Sequence, residues 1–125
     1  MKSMLIYLNF LKEKGIPLSE INPGSDEIAL SVSDALQGLE LLRDSQVAIL
    51  GGDILSEANN ELIYAYQLWG EEYLYLSWCI DHKNKYESKE DYLKRSYDLA
   101  KVSIYKAYEV AEKLKKKCYI VFVIE

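Results

Sequence analysis

Histidine occurs once, cysteine twice and proline twice in the 125 residues, and each scarcity closes off a class of function. The single histidine, His82, lies in the polar run Asp81-His82-Lys83-Asn84. It lacks the nearby nucleophile and orienting acid of a triad, and the further nitrogen or sulfur ligands of a metal site. Cys79 and Cys118 are too few and too unpatterned for a disulfide framework or a zinc site, which suits a reduced cytoplasm. Trp78-Cys79-Ile80 reads as a strand with the cysteine as a small buried hydrophobe, although a Cys79–His82 nucleophile pair stays open. With two prolines and no repeat or low-complexity tract, the chain reads as one folded domain over residues 1–125.

Long apolar runs are also missing. Nothing approaches the ~20 residues that span a bilayer, so no membrane partner is expected. Met4 to Leu8 is apolar behind one lysine, but Asn9 interrupts it and Lys12-Glu13-Lys14 follows. That is not the pattern of an export signal.

Positive charge is absent from the middle of the chain. Gly15 to His82 holds twelve acids and only Arg43 as a base, whereas Lys83 to Glu125 holds eleven bases and seven acids. A span of net −11 would repel phosphates, which argues against nucleic acid as a partner. It suits a basic protein, because complementary potential speeds encounter and suppresses wrong partners.

What is present suffices for a core. Half the residues are hydrophobic and 28% are charged, a globular balance, and a chain of this length buries roughly two-thirds of its unfolded surface. Met1 to Lys14 reads as a helix, apolar at Met4, Leu5, Leu8 and Leu11, stopped by Gly15 and set apart as an extension. Residues 15–26 read as a loop, and Glu27 to Leu30 as a short strand or lead-in. Ser31 to Gln46 reads as a second helix, capped at Ser31 and Asp34. Val47 to Leu50 is a short strand that Gly51 and Gly52 close with a sharp turn. Residues 54–80 are expected to form two or three antiparallel strands, with a turn at Asn59-Asn60. Ser88 and Asp91 cap a long helix whose apolar stripe runs from Leu93 through Tyr97, Ala100, Ile104, Ala107, Tyr108 and Ala111 to Leu114. Cys118 to Ile124 is a final strand that belongs in the centre of a sheet. The expected fold is therefore α+β, a small and mostly antiparallel sheet packed by about three helices.

The run Val47 to Glu57, "VAILGGDILSE", invites a phosphate-loop reading and fails it. There are two glycines, no neighbouring lysine, and Asp53 stands where a phosphate would sit. Glu71-Glu72 reads as surface charge beside a turn rather than a metal site. Eleven tyrosines and two tryptophans are many for this length, and the cluster from Tyr64 to Trp78 overlaps the acidic span. Large rigid aromatics dominate interface hot spots, so this segment is the leading candidate for partner binding.

Several of these segments, in order, resemble the immunity-protein-forty family of small proteins encoded beside bacterial polymorphic toxins. They are "ILGGDI" at Ile49 to Ile54, a Tyr-x-x-Trp element, Glu87-Ser88, and "YLKRSYDLAKVSIYKAY" from Tyr92 to Tyr108. The resemblance covers roughly Leu36 to Val123. Two segments match the Tyr-x-x-Trp element, Tyr66 to Trp69 and Tyr75 to Trp78, and neither carries the family's Asp-Asn between its ends. The resemblance implies a cytoplasmic inhibitor that is not an enzyme, uses no cofactor and binds one cognate toxin, expected to be basic and of the nuclease kind. The expected contacts are Asp53, Glu57, Glu61, Glu71 and Glu72 for the field, with Trp69, Tyr75 and Trp78 as anchors. Two alternatives stay open: a homodimer pairing through the aromatic segment, and a small enzyme using Asp53 at the Gly51-Gly52-Asp53 turn.

Overall fold

The computed structural model describes residues 2–18 and 27–125. Helix α1 (Lys2–Lys14) leads into strand β1 (Ile16–Pro17), followed by β2 (Ile28–Ser31) and α2 (Val32–Asp44). Strands β3 (Ile49–Ala58) and β4 (Glu61–Tyr64) come next, then the short helix α3 (Ala65–Trp69) and a 3-10 helix (Glu71–Leu76). Strand β5 (Trp78–Cys79), the long helix α4 (Lys89–Leu114) and β6 (Tyr119–Ile124) complete the chain. The fold is α+β, with an antiparallel sheet ordered β1-β2-β6-β3-β4 and β5 paired to β3. The final strand β6 is central, as its uninterrupted apolar run requires.

Local chemistry sets the helix ends. Ser31 Oγ accepts the Asp34 amide at 3.3 Å and Ser88 Oγ accepts the Asp91 amide at 3.0 Å, each satisfying a donor the first turn leaves unpaired. At the far end of α4, Lys115 adopts a left-handed conformation and the Lys116 amide returns to the Ala111 carbonyl at 2.9 Å. The α4 stripe is buried at Leu93, Tyr97, Ala100, Ile104, Ala107 and Ala111, but Tyr108 at its edge is exposed. Helix α1 buries Tyr7 and Phe10, while Leu5 and Leu8 face outward. Met4 and Leu11 of the expected stripe do pack against the core, and Tyr7 and Phe10, whose burial removes more apolar area from water, complete that face in place of Leu5 and Leu8.

Three corrections concern the middle of the chain. First, Gly51 and Gly52 do not make a turn. They lie inside β3, paired with Val123 and Phe122 of β6 on one side and with Cys79 and Trp78 of β5 on the other. The register slips between Ile49 and Gly51, so one extra residue of β3 bulges there. Second, Tyr73 to Leu76 forms the last four residues of the 3-10 helix, not a strand. Third, Cys79 is exposed rather than buried. The Asn59-Asn60 turn does form, with φ of 53° and 65°; that left-handed pair matches the twist of a two-residue hairpin. The loop expected over residues 15–26 lies partly outside the described residues.

Residues alternate across β3 below the bulge. Ile54 faces the helices in a cluster with Leu30, Ile104 and Ile120, while Leu55 faces the far side with Leu18, Ala29, Leu62 and Val121. Two hydroxyls tie α4 to the entry of β3. Tyr97 donates to the Val47 carbonyl at 2.8 Å, and Ser96 accepts the Ile49 amide at 3.2 Å while donating to the Leu93 carbonyl at 2.9 Å.

The loop before α4 is held by one arginine. Arg95 donates to both Glu87 carboxylate oxygens, at 2.9 and 2.8 Å, and to the Asp81 and His82 carbonyls at 3.1 and 3.3 Å. The guanidinium hydrogen bonds hold the Glu87 carboxyl down to about 2. The pair's contribution to stability is therefore whole above the ordinary glutamate range and is lost as pH falls toward about 2. Thermal unfolding of wild type and Glu87→Gln should differ at pH 7 and converge by pH 2. A melting difference that stays constant across that range would contradict the pairing.

Candidate functional site

The 3-10 helix gathers acid and apolar surface on one side. Gly70, at φ 128°, turns the chain out of α3 in a conformation that side chains strain. A 3-10 helix has three residues per turn, so residues i and i+3 eclipse. Glu71 therefore stands over Leu74, and Glu72 over Tyr75. All four point to solvent, with Leu74 55% and Tyr75 65% exposed. The remaining pair, Tyr73 and Leu76, faces inward: Leu76 is buried beside Ile54 and Ile104, and the Tyr73 ring meets Trp69 edge-on at 6.1 Å between centroids. The inner residues anchor the segment and the outer four form a ledge with two carboxylates beside two large apolar side chains.

The other expected contacts lie elsewhere. Trp69 packs against the core behind the ledge. Trp78 lies over Gly52 and meets Phe122 edge-on at 6.4 Å. Both rings are half-buried, and their indole N–H groups are buried without an acceptor among the described residues. Glu57 sits on the far side of the sheet and accepts from Lys117 Nζ at 2.7 Å. Glu61 is exposed at the hairpin. Asp53, also on the far side, is half-buried opposite Val121, and desolvation raises its carboxyl pKa. The structure thus brings together Glu71, Glu72 and Tyr75, and leaves the remaining five in separate places.

Leu74 completes the ledge and was missed by the sequence reading. Its signal was present in "EEYLYL", where two acids precede two large residues at a spacing of three. A strand reading of that run conceals it, because alternation would send Glu71 and Glu72 to opposite faces.

For chemistry the surroundings offer little. His82 is exposed and contributes its backbone carbonyl to Arg95. Burial pushes the Cys118 thiol up to about 12, far from a reactive thiolate. Among the described residues no three His, Cys, Asp or Glu side chains cluster as metal ligands, and no helix is long and apolar enough to cross a membrane.

The family model described as immunity protein 40 matches residues 10–124, nearly the whole chain. No curated protein matches it. The chain belongs to the immunity protein 40 family.

Proposed function

We propose that this member of the immunity protein 40 family binds and neutralises one cognate toxin in the cytoplasm, by occupying a surface rather than by catalysis. The observation that carries this reading is the acid-over-apolar pairing of the 3-10 helix, Glu71 with Leu74 and Glu72 with Tyr75. Exposed large side chains supply the area that anchors an interface, and flanking carboxylates steer a basic partner toward it. The net −11 of the surrounding span extends that field. A nuclease, whose active-site surroundings are positive because its substrate is not, is the class of toxin such a field fits best.

The two halves of the ledge separate kinetically. With a catalytically inactive toxin domain from the adjacent gene as probe, Glu71→Gln with Glu72→Gln should slow association about fivefold at low salt and flatten its salt dependence. Leu74→Ala with Tyr75→Ala should leave association near wild type and speed dissociation, weakening binding by about 2 kcal/mol or more. Unchanged rates in both double variants would remove the 3-10 helix from the interface.

A further inference from the structure

The far face of the sheet holds a carboxylate that the fold leaves without a partner. The Asp53 carboxylate accepts no hydrogen bond and joins no ion pair among the described residues. Its diagonal neighbour across the sheet is Tyr64, since Leu55 pairs directly with Tyr64. The Tyr64 ring stacks on Tyr66 of α3, with centroids 6.0 Å apart and planes 25° from parallel. Burial raises the pKa of the Tyr64 hydroxyl, and the charges of Asp53 and Glu27 raise it further, so the surroundings are acidic. On the same face, Lys117 bonds to Glu57.

A partly desolvated carboxylate without a donor destabilises a fold. The contrast within the molecule is Glu87, whose carboxylate has a bidentate arginine. What Asp53 lacks internally, a partner can bring. A carboxylate beside stacked aromatic rings suits a guanidinium or ammonium, which pairs with the charge while its flank meets a π-face. We infer that Asp53, Tyr64 and Tyr66 form a receptor for one basic side chain, an arginine or lysine, of the protein partner. This rests on the reading above that the partner is a basic toxin. The receptor and the ledge lie on opposite sides of the sheet, but one continuous segment from Tyr64 to Tyr75 carries parts of both past the edge strand β4. A toxin gripping that edge reaches both.

The receptor predicts opposite effects on stability and binding. Asp53→Asn keeps the shape and removes the charge. The free variant should melt at the same temperature as wild type or higher at pH 7. A raised folded-state pKa means wild type loses stability as pH climbs through it, so any advantage of the variant should vanish in acid, below the ordinary carboxylate range. Its affinity for the inactive toxin domain should fall roughly tenfold. Tyr66→Ala should weaken binding several-fold, whereas Tyr66→Phe, which keeps the ring, should bind like wild type. A lowered melting temperature with undiminished affinity in Asp53→Asn would make the carboxylate structural and overturn the receptor. Wild-type affinity in Asp53→Asn, with the Glu71 and Glu72 variants still impaired, would overturn the receptor and leave the immunity reading standing. Failure of the wild-type protein to bind the toxin domain would overturn both.

Discussion

Gly51→Ala should destabilise the protein more than Gly52→Ala, although the two glycines are adjacent and buried in one strand. A Cβ built on Gly52 runs into the six-membered ring of Trp78, and one built on Gly51 runs into the Trp78 carbonyl oxygen. A ring can rotate away, at the expense of its edge-on contact with Phe122. A carbonyl can retreat only if β5 moves, and β5 is held to β3 through the Gly51–Cys79 and Gly52–Trp78 pairs. Overpacking of the first kind is worth about 1–3 kcal/mol, and displacing a strand should exceed about 3 kcal/mol. Chemical denaturation of both variants, with and without Trp78→Ala, distinguishes the causes. Removing the ring should make Gly52→Ala nearly harmless, a strong coupling, while Gly51→Ala should stay as damaging as before because the carbonyl remains. Equal costs in both backgrounds would show that the glycines serve some purpose other than room for Trp78.

That arrangement explains why the glycines were misread. Two glycines followed by an acid carry turn chemistry locally, and nothing within ten residues contradicts it. The deciding group is Trp78, brought alongside by strand pairing. The 3-10 helix was hidden for a related reason. Tyrosine favours strands because it suits a half-buried pleated surface, but here Trp69 and the Ile54–Ile104 core give Tyr73 and Leu76 their burial on a helix instead. Elements whose determinants are local or periodic were legible. The Ser88 cap with the repeating stripe fixed α4, the Ser31 cap fixed the start of α2, and an unbroken apolar run placed β6 in the centre. The site followed the same division. Glu71, Glu72 and Tyr75 could be chosen from charge and residue type, but their pairing required the 3-10 register. That the Asp53 carboxylate lacks a donor and neighbours Tyr64 required the sheet.

Ile104→Ala should lower the unfolding free energy by about 2–5 kcal/mol, the other large loss expected from a single substitution. Ile104 is fully buried at the middle of α4, in a cluster that includes Phe10 of α1, Leu30 and Ile54 of the sheet and Leu76 of the 3-10 helix. Truncation leaves a cavity bounded by separate elements, and β-sheet walls cannot collapse into it without breaking register. Two controls on the same helix separate packing from propensity. Ile104→Val, which removes one methylene, should lose about 0.5–1.5 kcal/mol. Val102→Ala, at a site 51% exposed, should change stability by less than about 0.5 kcal/mol, since alanine is the better helix former and little area is recovered from water. The consequence reaches the ledge through Leu76, which lies in the same cluster as Ile104 and is the inner anchor of the 3-10 helix. Hydrogen exchange at the amides of residues 71–77 should therefore accelerate in Ile104→Ala beyond the factor expected from global unfolding alone. Exchange there that tracks only the global change would mean the ledge is held by Tyr73 and Trp69 without help from the core beneath it.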